Sequence, residues 1–395
     1  MPSRRKARLR SKVTKKKAFL YFLIFAVLAA ALAGIWKKVR QRQKPQIRRA
    51  AATHFNRRRQ SEQLMRAVET AGGEDVWIRG APSAMACAAQ ASSFPHVLAA
   101  ARAYGNVLRA LRDQGQKQGL AVRIDAVPES QSMPASQVTF FLRREPVCRL
   151  RVEAVRRIAR VAIVVDDLGS SLAAARAVLR LRAPLTLSVM PRLAHSRQTA
   201  EEAHRAGAEV MLHLPMQPVA DSAPDVSPDE LRVGMNGVEV ARIVDQDLAS
   251  VPGAAGVNNH MGSRATADRR LMAEVMAALA GRHLYFVDSR TSPDSVAFAE
   301  ARRNGLPAFY RSIFLDDART VSYTLRQLHA LCRVAQERGA ALAIGHPYPA
   351  TLAALRRFLP ELERDRVQLV PVSQIIRLRE AAQLAPAARS SASKR

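Results

Sequence analysis

The sequence predicts an α/β barrel over residues 156–380, parallel strands wrapped by helices, and three observations carry that prediction. Eight short apolar runs, rich in β-branched residues, recur between Val161 and Val370. Amphipathic stretches with helical spacing separate them. No turn-linked pairs of strands interrupt the alternation, so the strands run parallel under a layer of helices. An open doubly wound sheet would use the same units. No GxGxxG follows the first run, which argues against a dinucleotide site.

The chain has 395 residues, enough for more than one domain. Its net charge is +29, but +19 of that lies ahead of Glu62 and only +10 is spread over the other 335 residues. Residues 1–17 form a basic tail, and residues 18–36 (AFLYFLIFAVLAAALAGIW) carry no charge. Nineteen helical residues reach about 28 Å, close to the hydrocarbon thickness of a bilayer. We therefore expect a single-pass anchor in the inner (plasma) membrane, with the bulk of the chain extracytoplasmic (periplasmic); a signal peptide cleaved near Ala31–Gly34 is the competing reading. Nucleic acid is not an expected partner, because the basic excess flanks an apolar span. Residues 37–60 read as a basic linker.

Residues 61–155 read as a small α+β domain. Helices are expected over Ser61–Thr70 and Phe94–Leu111, and strands over Gly119–Asp125, Gln137–Leu142 and Val147–Val152. His54 and His96 stand alone and have no expected ligand role. The three cysteines, Cys87, Cys148 and Cys332, contain no CxxC, which excludes a cysteine-rich zinc site; an exported chain could pair Cys87 with Cys148. In an aromatic content of 5% there is no sign of an aromatic-lined sugar module or a base-stacking surface.

Within 156–380 the expected strands are Val161–Val165, Leu185–Met190, Glu209–His213, Ala255–Asn258, Leu284–Val287, Pro307–Tyr310, Ala341–Ile344 and Val367–Val370. Helices are expected over Ser171–Leu181, Ser196–Ala206, Ala267–Leu279 and Ser322–Gln336, with Ser170, Asn236 and Thr266 as N-caps. Residues 381–395 are an Ala/Ser/Lys tail expected to be disordered.

Function is written at the strand ends. The first strand ends in Asp166-Asp167, the third in His213, the fourth in Asn258-Asn259-His260, the fifth in Asp288-Ser289-Arg290, and a later one in Gly345-His346. In α/β folds ligands bind at this rim. Each residue alone has a structural explanation, such as a helix cap, a core histidine or a turn. Five strands that each deliver Asp or His to one rim are harder to explain that way. A carboxylate and two imidazoles suit a divalent cation with open positions, a second carboxylate can reach its water, and a remote histidine can protonate a leaving group. Together these describe metal-assisted hydrolysis of an amide or ester.

The segment from about Val161 to Arg379 resembles the divergent polysaccharide deacetylases, relatives of the NodB-homology carbohydrate esterases. The resemblance rests on Val165–Gly169 (VDDLG), His213–Pro218 (HLPMQP), Gly256–Ser263 (GVNNHMGS), Phe286–Thr291 (FVDSRT), Phe314–Asp316 (FLD) and Ile344–Pro349 (IGHPYP). It implies a distorted (β/α)7-type barrel and zinc-type removal of N- or O-acetyl groups from an envelope polysaccharide. By position it makes Asp166 the base, Asp167 and His213 metal ligands, and His346 the general acid. The second metal histidine of ordinary members falls at Gln217, so His260 is taken as the replacement. Asp288 is expected to orient His346. Asn258, Asn259, Ser263, Arg290 and Asp316 are expected to contact substrate. The Arg-x-Pro-Tyr signature of ordinary members is missing, and a non-catalytic glycan- or partner-binding protein on the same fold is the alternative.

Overall fold

Apolar residues at a period of two build two sheets in this chain, one in each expected folded unit. A computed structural model describes residues 59–79, 95–128, 133–142, 144–219, 229–362 and 364–384. The basic tail, the expected membrane span over 18–36, the linker up to 58 and the tail after 384 lie outside them. Among the described residues no helix is long and apolar enough to cross a membrane.

The first unit contains helix α1 (59–72), β1 (Val76–Arg79), β2 (His96–Ala100), α2 (Ala101–Lys117), β3 (Ala121–Ala126), β4 (Ala135–Leu142) and β5 (Glu145–Val155). The sheet order is β1-β2-β5-β4-β3, with β2 and β5 parallel and the other pairs antiparallel. Val97, Leu111, Val138, Phe140 and Leu150 are fully buried in its core. The helix expected over Phe94–Leu111 begins late. Val97, Leu98 and Ala99 are all but inaccessible between β1 and β5, and this pairing overrides the helical spacing of the segment. Cys148 is engaged in a disulfide, whereas Cys332 is a free, buried thiol; Cys87 lies outside the described residues.

The second unit alternates strand and helix: β6 (Ala159–Leu168), α3 (Leu172–Leu179), β7 (Thr186–Val189), α4 (Ser196–Arg205), β8 (Glu209–Met216), α5 (Gly237–Ser250), β9 (Gly256–Met261), α6 (Arg269–Leu279), β10 (Tyr285–Asp288) and α7 (Ala297–Arg303). It continues with β11 (Ala308–Tyr310), β12 (Ile313–Phe314), α8 (Val321–Arg338), β13 (Ala340–Gly345), α9 (Pro349–Phe358), β14 (Val367–Leu369) and α10 (Val372–Leu384). All strand pairs are parallel, in the order β11-β10-β9-β8-β7-β6-β13-β12, with β14 added on β6. The outermost strands, β11 and β12, are consecutive in the chain. Arg311 N donates to Asp288 O (2.9 Å) and Ser312 N to Leu342 O (2.7 Å), so two residues step from one edge to the other. The sheet is therefore a curled, incomplete barrel; β11 and β12 do not pair to close it. The two-residue β12 went unsignalled because it is too short to show a period.

Helix starts follow local chemistry. Asn236 caps α5 in a reciprocal box with Glu239. Ser171, not Ser170, caps α3, and Asp268, not Thr266, caps α6. The Thr266 hydroxyl instead donates to Gly262 O (2.7 Å).

The period of two sorts the side chains. Val161, Ile163, Leu187, Leu212, Val257 and Phe286 face the helices. Ala162, Val164, Met211, Tyr285, Val287, Leu342 and Ile344 point into the barrel, where Val372, Ile375 and Ile376 of α10 pack against them. Continued to the strand ends, the inward parity reaches Asp166, Ser188, His213, Asn258, His260 and His346.

Candidate metal centre and active site

A β-bulge sets the two carboxylates. Val165 pairs with Leu187 and Leu168 with Val189, so Asp166 and Asp167 together stand opposite Ser188. Asp166 keeps the inward parity, and Asp167, at φ 58°, is turned back toward the interior. Met261, the last residue of β9, and Arg290, just past β10, also have left-handed backbones, at φ 50° and 48°. Such residues cost on the order of 1–3 kcal/mol each and mark places where the fold holds a side chain against its preference.

The rim places three donor atoms in a near-equilateral triangle. His213 Nε2 lies 3.2 Å from Asp167 Oδ1, His260 Nδ1 lies 3.1 Å from that oxygen, and the two nitrogens are 3.1 Å apart. Asp167 Oδ1 is buried and accepts no well-aligned hydrogen bond. A tetrahedral cation with bonds of about 2.0–2.1 Å holds its ligands roughly 3.3 Å apart, so the set fits a divalent ion.

Asn258, fully buried on β9, fixes this geometry from behind. Its Nδ2 donates to both Asp166 oxygens (2.9 and 3.2 Å), and its Oδ1 accepts from Ser188 Oγ (2.7 Å). A carboxylate only accepts, so the amide nitrogen must face Asp166 and Oδ1 must face His213 Nδ1, 2.9 Å away. The neutral His213 ring therefore carries its proton on Nδ1 and presents a bare Nε2 to the triangle. Asn258 was expected to touch substrate; it holds the site together instead.

His346 approaches from the opposite side, with Nε2 3.5 Å from Asp167 Oδ2. Its Nδ1 bonds Asp316 Oδ1 (3.0 Å), and Asp316 Oδ2 accepts from His346 N and Thr351 Oγ1 (both 2.7 Å). The orienting carboxylate is thus Asp316, which was expected to contact substrate, and not Asp288. A Cβ on Gly345 would lie 3.0 Å from Leu315 Cβ and 3.3 Å from Asp316 Oδ2, so glycine there lets the two chains close up. Asp288 shares the helix-facing parity of Phe286 and accepts from Ser295 Oγ (2.9 Å) and Arg290 N (2.8 Å), shaping its own loop.

The other expected residues divide. Asn259 lines the pocket above the triangle while accepting from Ser289 N (2.9 Å) and donating to Met261 O (2.7 Å). Ser263 accepts from Val219 N (2.9 Å). Both hold loops. Gln217 accepts from Val233 N (3.1 Å) and offers nothing to the triangle. Arg290 is exposed and lines the pocket of about 410 Å³ above the triangle, together with Arg311, Phe314 and Asp317. Arg311 was not anticipated. Its guanidinium donates to Ser289 O and Arg290 O (both 2.6 Å) and stiffens the rim.

The charges cooperate. Burial works to raise the Asp167 carboxyl, but His213 and His260 override it and hold the group well below the usual carboxylate range. Burial opposes a proton on His213, yet Asp166 and Asp167 draw it above its ordinary value. Burial likewise opposes a proton on His346, and Asp316 and Asp167 outweigh it, so this imidazole also holds its proton more tightly than usual.

Comparison with known proteins fits this geometry. Residues 163–376 match the model of the family described as divergent polysaccharide deacetylase. The chain belongs to the divergent polysaccharide deacetylase family. It is 38% identical over 218 residues to an uncharacterized protein of Haemophilus influenzae, covering 55% of this chain and 77% of that one. It is 36% identical over 217 residues to the uncharacterized protein YibQ of Escherichia coli, covering 55% and 67%. The crystal structure of an uncharacterized Agrobacterium tumefaciens protein superposes with a TM-score of 0.53 at 27% identity, covering 55% of this chain and 89% of that one. All of the deacetylase-family match lies in the curled-barrel unit.

Proposed function

We propose that the chain is a metal-dependent deacetylase that removes acetyl groups from an envelope polysaccharide. The observation that carries the reading is the Asp167–His213–His260 triangle, with an Asp316-backed His346 facing it across one pocket. A divalent cation, zinc above others, would be held by those three residues and would supply Lewis acidity and a water of lowered pKa, from about 15.7 toward 7. Asp166, anchored by Asn258, accepts the proton of the attacking water. His346 gives a proton from Nε2 to the departing amine or alcohol, while Asp316 keeps Nδ1 protonated and the ring in place. Family membership supports an acetylated polysaccharide as substrate.

We place the protein in the cell envelope. Two features support this: the uncharged stretch 18–36 between basic flanks, and a disulfide at Cys148, which persists in oxidising compartments. The test of the chemistry is acetate release from N-acetylated oligosaccharides by zinc-loaded protein. Release is expected to stop on chelation, return with zinc, and fall at least about 100-fold in Asp166→Asn and in His346→Ala. Release that survives chelation, or that both variants match, overturns the reading.

A further inference from the structure

A cavity of about 870 Å³ lies away from the metal triangle, between the two folded units. Six arginines line it, Arg102, Arg156, Arg157, Arg160, Arg338 and Arg379, against two acids, Glu74 and Asp75. Arg102 already neutralises Asp75 through two bonds of 2.6 and 2.8 Å. Buried Arg160 is occupied by Gln368 Oε1 (3.0 Å) and Glu74 O. Arg156, Arg157 and Arg338 are exposed and have no ion-pair partner among the described residues. Three free guanidinium groups around one concave surface repel one another unless an anion sits between them.

The cleft also connects to the active site. Tyr310 and Ser312 line the cleft, and Arg311 between them lines the active-site pocket. The Arg290 guanidinium, at the pocket, lies 3.8 Å over the Tyr310 ring, and Tyr310 stacks on Phe309 at 5.4 Å. Arg379, in the cleft, lies 5.2 Å over Phe309. A ridge of two guanidinium groups flanking two stacked rings, the inner one (Phe309) buried, thus runs from the active-site pocket into the arginine cleft. Arginine stacked on a ring keeps its edge donors free for carboxylates.

We propose that the cleft and this ridge bind an acidic polysaccharide, a strand bearing carboxylates along its length, and present one acetylated unit of it to the metal triangle. The inference rests on the deacetylase reading for what happens at the triangle, but the binding itself does not require turnover. A neutral glycan gains nothing from the three free arginines. A carboxylated one gains charge-assisted bonds, and its affinity falls as salt rises.

The experiment is hydrogen–deuterium exchange on the full zinc-loaded chain, with two probes that each carry six acetamides: a hyaluronan dodecasaccharide, which also bears carboxylates, and neutral chitohexaose. Hyaluronan is expected to protect the 156–160 and 308–314 segments, and chitohexaose is not. Arg156→Glu/Arg157→Glu/Arg338→Glu, all exposed, is expected to lose that protection and to weaken hyaluronan binding at least tenfold. The milder Arg→Gln triple variant should fall between the two and controls for misfolding. Equal protection by both glycans, or protection unchanged in the charge-reversed chain, overturns the proposal. Stronger protection by a DNA duplex of equal charge overturns the glycan assignment. If acetate release fails while hyaluronan protection persists and depends on these arginines, the deacetylase reading falls and the binding site stands.

Discussion

The two ends of the barrel interior are built by the same strands and differ in one respect, whether their polar atoms are paired. At the lower end Glu209 Oε1 accepts from Thr186 Oγ1 and Tyr285 OH (both 2.9 Å) and from Ser373 N (3.2 Å). Val372 N closes the network on Thr186 Oγ1 (3.2 Å). This ties α10 under the sheet. At the upper end Asp167 Oδ1 and His260 Nε2 are buried without a hydrogen-bond partner. A group left unpaired in a buried site costs about 1–3 kcal/mol, so the upper end stores what the lower end has settled. The comparison teaches where to look for chemistry: the end with unpaired atoms is built for something that is added to the protein.

Substitutions can break that contrast. The largest effect is expected for His213→Ala or Asp167→Ala: zinc affinity, read by competition with a chromogenic chelator, falls by about 10³-fold or more, and acetate release is lost. Next comes His346→Ala, with kcat down about 10²–10⁴-fold and zinc affinity retained. Asp316→Asn sharpens this point through pH. The proton on His346 is present below its raised pKa and lost above it, so activity falls on the alkaline side. Removing the Asp316 charge should move that limb of the pH–rate profile to lower pH.

At the paired end the signature reverses. Glu209→Ala leaves three donors without their acceptor and is expected to cost about 2–4 kcal/mol in urea unfolding, with zinc affinity unchanged. The smallest effect belongs to neither end. Asp247 on α5 lies 2.8 Å from Arg192, and burial, with some help from Asp229, pushes its carboxyl up to about 7 against the pull of Arg192. A raised carboxyl stabilises the fold below its unfolded value, near 3.9, and that contribution is lost as pH rises through about 7. Asp247→Asn should therefore flatten the decline of the urea midpoint between acidic and neutral pH.

Much of this was legible in the sequence, and what was not has physical causes. All eight expected strands of the second unit are present, because a β-branched run buried on both faces has few other fates. The metal triangle was legible because three strand ends carry Asp or His; His213 and His260 share the inward parity, and Asp167 joins them through the bulge. Parity also held a signal for Asp288, which falls in step with Phe286 on the helix side and so cannot meet His346. Asp316 was misassigned to substrate because its partner depends on β12, two residues long, docking on β13. The bulge at Asp166-Asp167 left no trace in residue type, since an extra residue in a strand changes register and not composition. Arg311 was overlooked because its worth lies in carbonyls that only folding brings near.

That bulge has an evolutionary consequence. With two acidic residues sharing one rung of β6, loss of either would restore a regular register, keep Leu168 on the helix side and leave a single inward carboxylate. A one-residue loss at this rung would therefore spare the packing and strike the chemistry alone. Lineages that explore new substrates must do so through the loops around the rim and leave the first strand untouched.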